Sequence, residues 1–225
     1  MGNKKSIQVA IDGPAGAGKS SVAREVARRL GFAYLDTGAM YRVVAYRALA
    51  LHIDLRDEKA VTDLLADLEI RFEYGEKNRV YCNGEEVTTK IRSREVSKAV
   101  SIIAAYRGVR KHLVKIQRRE AAKGSLVMDG RDIGTFVLPD APVKIFLTAS
   151  VLERARRRHL ENIQAGKNSD FQEVLKEIKE RDRMDSERTH SPLRPAADAL
   201  ILDTTTLTKE EVVEKIVAIC RRHLE

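Results

Sequence analysis

An α/β fold is what this sequence predicts: a three-layer sandwich on a parallel sheet, interrupted by one small antiparallel insertion. Three observations point there. Strand-like and helix-like segments alternate over residues 7–51, and such alternation argues for a parallel sheet covered by helices. A glycine-rich segment, residues 12–21 (DGPAGAGKSS), stands between a short apolar strand and an amphipathic helix. The same rhythm resumes at residue 125, after a middle stretch of different character.

Taken in order, residues 7–11 (IQVAI) read as the first strand, and the helix that follows carries Val22, Val26 and Leu30 on one face. Gly31 ends that helix, as a C-terminal glycine commonly does. Residues 32–35 give a second strand, and Asp36-Thr37-Gly38 opens a helix through about Leu51. Residues 70–74 and 79–82 are short β-favouring runs separated by Gly75-Glu76-Lys77-Asn78. Asn83-Gly84 then supplies a two-residue hairpin turn before residues 85–87. This antiparallel material, about residues 62–96, is read as an insertion. Helices follow over about residues 94–123, with a break near Gly108. Strands are expected at 125–128, 143–149 and 199–203, a charged helical region over about 151–184, and a last helix from Lys209.

The 225 residues fit one domain carrying an insertion and a lid. With 43% hydrophobic and 33% charged residues, the chain can form a core without disulfides. No apolar run reaches the ~20 residues of a membrane span, and the N-terminus lacks a signal-peptide stretch, so the expected location is the cytoplasm. Cys82 and Cys220 form no metal-ligand cluster and suit a reducing compartment. His52, His112, His159, His190 and His223 share no ligand spacing. Met1-Gly2-Asn3-Lys4-Lys5-Ser6 matches a short N-myristoylation pattern, but a strand begins at once at Ile7, and the match is read as accidental. The balance of 41 Lys plus Arg against 33 Asp plus Glu gives +8, which suits acidic partners: nucleic acid, acidic lipid or phosphorylated small molecules.

Gly13, Pro14, Ala15, Gly16, Ala17, Gly18, Lys19, Ser20 and Ser21 carry a complete P-loop, Gly-x4-Gly-Lys-Ser, with a strand before and a helix after. Its glycines let backbone N–H groups converge on phosphate oxygens at a helix N-terminus. Lys19 would reach the β- and γ-phosphates, and Ser20 would hold Mg²⁺. The Asn-Lys-x-Asp guanine signature is absent. A phosphate acceptor needs no general base, because its nucleophile is already an anion; it needs cations to offset repulsion between two charged groups.

Arginines gather at Arg42, at Arg107 with Arg110, at Arg131, at Arg154 with Arg156 to Arg158, and at Arg181 and Arg183 with Arg188. Taken singly, each reads as a solvated helix face. Arg131, however, follows a buried-looking strand in Asp129-Gly130-Arg131-Asp132, at the sheet edge where α/β proteins place ligands. Arg181, Asp185 and Arg188 fall at i, i+4 and i+7, so on a helix they would share one face as a phosphate and sugar clamp. Asp129 is the candidate for orienting Mg²⁺ or its waters, with a capping role as the alternative.

The segments IDGPAGAGKSS, LDTGAMYR, MDGRDIGT, PDAPVKIFL, EIKERDRMD and PLRPAADALILDTT together resemble the bacterial cytidylate kinases, nucleoside monophosphate kinases of the P-loop class, over nearly the whole chain from Ile7. The resemblance implies ATP- and Mg²⁺-dependent phosphorylation of CMP and dCMP to CDP and dCDP. It implies a nucleotide-monophosphate region over about 36–122 and a short LID over about 150–170. Thr37, Tyr41, Arg42, Arg131 and Arg188 would surround the CMP phosphate, and Ser101, Arg110 and Asp132 would face cytosine. Arg181 and Asp185 would lie near the sugar and phosphates, and the arginines between Arg154 and Arg158, with Arg157 the candidate named, would close over ATP from the LID, the sequence not choosing which of the four enters the site. Thr37 stands where the family often has Ser, and the hydroxyl is kept. The catalytic set is then Lys19, Asp129, Arg131, Arg181 and Arg188.

Chemistry supports the base assignment in part: a carboxylate such as Asp132 accepts from the N4 amino group of cytosine, where uracil presents a carbonyl. Arg110 could donate to the O2/N3 edge. The partners expected are small nucleotides, with no nucleic acid and no membrane, and a monomer. Three other readings stand beside this one, among them a regulatory or structural protein with a vestigial P-loop. A P-loop kinase for another small acceptor such as UMP would share most of these features. A basic nucleic-acid-binding protein would account for the charge, but aromatics are only 5% and no stacking motif is present.

Overall fold

The computed structural model of the chain describes residues 6–75 and 78–224. The myristoylation-like pattern before Ser6 and the Glu76-Lys77 part of the turn lie outside the described residues. The chain divides into two compact units, one formed by the chain up to Leu35 together with the chain from Gly124 onward, the other by Asp36–Lys123.

The first unit is built on a five-stranded sheet. Its strands are β1 (Gln8–Asp12), β2 (Ala33–Asp36), β6 (Leu126–Gly130), β7 (Val143–Thr148) and β8 (Leu200–Asp203), in the order β2-β6-β1-β7-β8. The pairs β1 with β6, β1 with β7, and β7 with β8 are parallel. Its helices are α1 (Lys19–Leu30), α6 (Val151–Gln164), α7 (Phe171–Glu187) and α8 (Lys209–Arg222). Inner β6 is buried throughout and the middle strand β1 nearly so, as their mostly apolar sequences suggest; β8, at the edge, is mostly exposed. Val22 and Val26 of α1, Ile11 of β1, Ile145 and Leu147 of β7, and Val213 and Ile216 of α8 interlock in one core. Gly31 takes φ 68°, and the next residue's N–H, that of Phe32, closes the end of α1 by donating to the Ala27 carbonyl at 2.9 Å.

The second unit holds α2 (Thr37–Ala50), α3 (Glu58–Asp63), β3 (Ile70–Glu73), β4 (Arg79–Cys82), β5 (Glu85–Glu86), α4 (Arg94–Ile103) and α5 (Arg107–Ala121). Strands β3, β4 and β5 form the expected antiparallel sheet. Asn83 and Gly84, both at positive φ, make the two-residue turn that sets Cys82 opposite Glu85. Asp36 starts α2 by accepting from the Ala39 N–H at 3.0 Å.

Two local outcomes differ from the sequence reading. The charged region 151–184 is two helices, because Gly166 takes φ 69° and Asp170 begins a new helix by accepting from the Glu173 N–H. After β6 the chain forms a π-helical turn, Ile133–Val137, where no element was expected. Among the described residues no helix is long and apolar enough to cross a membrane, and Cys82 and Cys220 are both buried thiols.

Candidate active site

In the first unit the P-loop runs from the end of β1 into α1. Gly13 has φ +147°, and a Cβ there would lie 2.0 Å from the Leu147 carbonyl oxygen of β7. Gly16 has φ +75°, and its Cβ would meet Arg154 at 3.0 Å. Only glycine fits either place, and the loop lies tight against β7 and α6. Lys19 is buried, and its Nζ donates to the Pro14 carbonyl at 2.7 Å, arching back over the loop. Burial pushes this ammonium well below its ordinary pKa, and the Arg131 charge pushes the same way. Ser20 Oγ donates to Asp129 Oδ2 at 2.8 Å, while Tyr34 Oη donates to Asp129 Oδ1 at 2.9 Å. A hydroxyl and a carboxylate at the loop's helix end are hard oxygen donors of the kind Mg²⁺ takes in nucleotide sites, where phosphates and waters complete the shell. Ser21 Oγ instead donates to the Gly18 carbonyl at 2.9 Å, which assigns it to the helix start.

Beside the loop, a cavity of about 500 Å³ is lined by Gly16, Ala17 and Gly18 together with Arg157 and Thr204. Arg157 donates to the Thr204 carbonyl at 2.6 Å and to Glu153 at 2.9 Å. Arg154 does something different. It is buried, and its Nη1 donates to the Ala15 carbonyl at 3.0 Å and to Asp182 Oδ2 at 2.5 Å. Asp182 Oδ1 in turn accepts from the Ala15 N–H at 3.3 Å. Both ends of residue Ala15 are therefore held by one ion pair from α6 and α7.

A second cluster joins the segment after β6 to the end of α7. Arg131 Nε bonds Asp185 Oδ2 at 2.7 Å, and Arg188 Nη2 lies 3.5 Å from Asp132 Oδ1. Burial alone would raise the Asp185 carboxyl, but the charges of Arg131, Arg181 and Arg188 hold it below its ordinary value. Burial would lower Arg131, and the facing Asp185 charge raises it overall. Arg188 is not on the helix: α7 ends at Glu187, and Arg188 turns into extended backbone, its Nε donating to the Ser191 carbonyl at 2.5 Å. The shared helical face therefore holds for Arg181 and Asp185, and Arg188 joins the cluster through its turn. Behind the cluster, Asp12 at the end of β1 accepts from the N–H groups of Ile133 and Gly134 at 2.8 and 2.7 Å. Burial pushes its carboxyl up to about 6, against the opposing effect of those two bonds.

The second unit holds the remaining expected residues. Thr37 is buried at the first position of α2. Arg42 pairs with Asp36 at 4.0 Å, and Arg92 reaches the same carboxylate at 3.3 Å. The guanidinium of buried Arg110 lies 5.8 Å from the Tyr41 ring centroid, and its Nη1 donates to the Ala104 carbonyl at 3.3 Å. Ser101 lies half-buried on α4.

The family model described as cytidylate kinase matches residues 9–222. The chain belongs to the cytidylate kinase family. A relative from Desulfitobacterium hafniense (strain Y51) carrying that name is 55% identical over 222 residues, spanning 99% of this chain and 96% of its own. One from Bacillus cereus (strain ATCC 10987) is 52% identical, spanning 96% of each. In fold the chain is similar to a gluconokinase from Sinorhizobium meliloti 1021, with a TM-score of 0.50, 14% identity, and coverage of 97% of this chain and 94% of that one.

Within this family frame, Asp12, Asp182 and Tyr34 are groups that reading the sequence did not single out, and Arg154, read there only as one of the lid arginines, holds Ala15. Asp12 did leave a trace, a carboxylate closing an otherwise apolar strand. Two outcomes follow from this geometry. Gly13→Ala is expected to cost at least about 1–3 kcal/mol, because the added methyl overlaps a β7 carbonyl, and to lower the denaturant midpoint accordingly. Because the folded pKa of Asp185 is lowered, its ion pairs stabilise the fold above the ordinary value of 3.8 and are lost as the pH falls through the lower folded value. Denaturation curves from pH 5 to 3 should show Asp185→Asn, already weaker at neutral pH by about 3–5 kcal/mol, losing less over that interval than wild type.

Proposed function

We propose that this chain transfers the terminal phosphoryl group of ATP to CMP or dCMP, yielding ADP and CDP or dCDP. The observation that carries this reading is the Arg131–Asp185 and Arg188–Asp132 cluster, its two carboxylates buried, lying in the same unit as a P-loop whose Ser20 bonds Asp129. Family membership agrees with it, and the named relatives are cytidylate kinases.

The acceptor oxygen of a nucleoside monophosphate is already anionic, so the site needs cations and alignment rather than a base. In this reading Lys19 and the P-loop amides of residues 13–21 bind the ATP phosphates, and Arg157 serves the ATP side from a LID over about 150–170. Arg131, Arg181 and Arg188 neutralise the charge that builds as the phosphoryl group passes between two oxygens. Ser20 and Asp129 would hold Mg²⁺, whose charge, when it is bound, offsets that of the ATP oxygens. Thr37, Tyr41 and Arg42 bind the CMP phosphate. Ser101, Arg110 and Asp132 read the base, and Asp185 lies with Arg181 near the sugar. Asp36–Lys123 is the nucleotide-monophosphate-binding part. Asp132 gives the base preference its sign: its carboxylate accepts from the cytosine N4 amino group but faces the O4 of uracil, which leaves a buried acceptor unmatched at a cost of about 1–3 kcal/mol.

Initial rates with CMP, dCMP, UMP and AMP under ATP and Mg²⁺ should rank CMP and dCMP far above the others; equal turnover of UMP would overturn the assignment. Lys19→Ala is expected to lose at least about 100-fold in ADP release, and near-wild-type turnover would refute the P-loop role. Asp132→Asn should narrow the CMP-to-UMP ratio of kcat/KM by about tenfold, and an unchanged ratio removes Asp132 from base reading.

A further inference from the structure

We infer that Asp12 is a positioning residue for base recognition, its carboxylate holding in place the peptide that directly follows Asp132. The inference rests on the reading of Asp132 given above and extends it to a residue in another strand. Parallel pairing sets Asp12 opposite Gly130, so the carboxylate at the end of β1 stands beside the segment leaving β6. Each of its oxygens takes one amide: Oδ1 accepts from Ile133 at 2.8 Å and Oδ2 from Gly134 at 2.7 Å.

The Ile133 N–H and the Asp132 carbonyl belong to one peptide group, and that group is held from both sides. Its N–H donates to Asp12, while its carbonyl accepts from Phe136 at 2.9 Å and Val137 at 3.1 Å within the π-helical turn. Asp132 itself sits at φ −146°, ψ 28°, outside helix and strand geometry, so no regular element orients it. The direction of its side chain toward Arg188 therefore depends on this clamp.

Two acceptor oxygens are needed for two donors. Asparagine offers one, and its amide N–H₂ would face the second backbone N–H; glutamate keeps both oxygens but sets them one methylene further out. The test is kcat/KM for CMP and for UMP, with KM for ATP, in wild type, Asp12→Asn, Asp12→Glu, Asp132→Asn and the Asp12→Asn/Asp132→Asn double variant. Asp12→Asn is expected to reduce the CMP-to-UMP ratio about tenfold, mainly through KM for CMP, with KM for ATP held within about threefold. Asp12→Glu should reduce the ratio less. The double variant should narrow it no further than Asp132→Asn alone, as expected of two residues acting through one group. A ratio in Asp12→Asn within twofold of wild type, while Asp132→Asn narrows it, overturns the positioning role. If both Asp12 variants fail to fold, Asp12 is a folding element and the inference is also overturned. If Asp132→Asn itself leaves the ratio unchanged, the fault lies in the reading of Asp132, and the inference that rests on it falls as well.

Discussion

The parallel register between β1 and β6 is the constraint on which the first unit's site depends. It sets Ile11 opposite Asp129 and Asp12 opposite Gly130, so two buried carboxylates leave neighbouring strands where the P-loop begins, one on each face of the sheet. A slip of one residue would turn every side chain of β1 to the opposite face of the sheet. Asp129 would lose its place beside Ser20, and Asp12 would lose its reach to the π-helical turn. Because both strands are covered on both faces, that register is fixed by core packing, and the chemistry inherits its geometry from apolar residues such as Ile11, Val127 and Ile145.

Charge is managed there by pairing. Buried Lys19 and Arg154 and half-buried Arg131 and Arg188 bring four cations into one unit, an arrangement that is unfavourable unless carboxylates stand against it. Asp129, Asp132, Asp182 and Asp185 supply them. Burial sets the direction for Lys19, whose pKa is depressed, and for Asp12, whose pKa is raised, whereas at Asp185 the facing arginine charges overcome burial and hold the carboxyl low. Such compensation holds these charged groups in one geometry, which is the condition for electrostatic catalysis by preorganised charge.

How much of this could be read from the sequence depended on whether the signal was local. Asn83-Gly84 forms its turn because its own φ preferences require it, and the P-loop is legible because its spacing encodes a backbone shape. Family-level likeness then carried the reading to residues such as Ser101 and Arg110, for which no local spacing offers a cue. What escaped was set by distant partners. The π-helical turn at Ile133–Val137 has no local cue, because the carboxylate that takes its first two amides comes from β1. Arg154 and Arg157 sit three apart on one helix, and sequence offers no ground to choose between them; only packing sends Arg154 to Ala15 and Arg157 to Thr204. The end of α7 at Glu187, one residue short of Arg188, was hidden for a like reason: Arg188 is held by Ser191 and Asp132 once it has left the helix.

The hold on Ala15 has a thermodynamic corollary. Its N–H and C=O are bound to Asp182 and Arg154, so the conformation of the phosphate cradle and the seating of α6 and α7 share one free energy. Linkage is reciprocal: whatever a bound phosphate does to the stability of that hold, loosening or tightening the hold does in equal measure to phosphate affinity. Substitutions on the faces of α6 and α7 that never touch a nucleotide would thus register as changes in nucleotide affinity, transmitted through the two ends of a single residue.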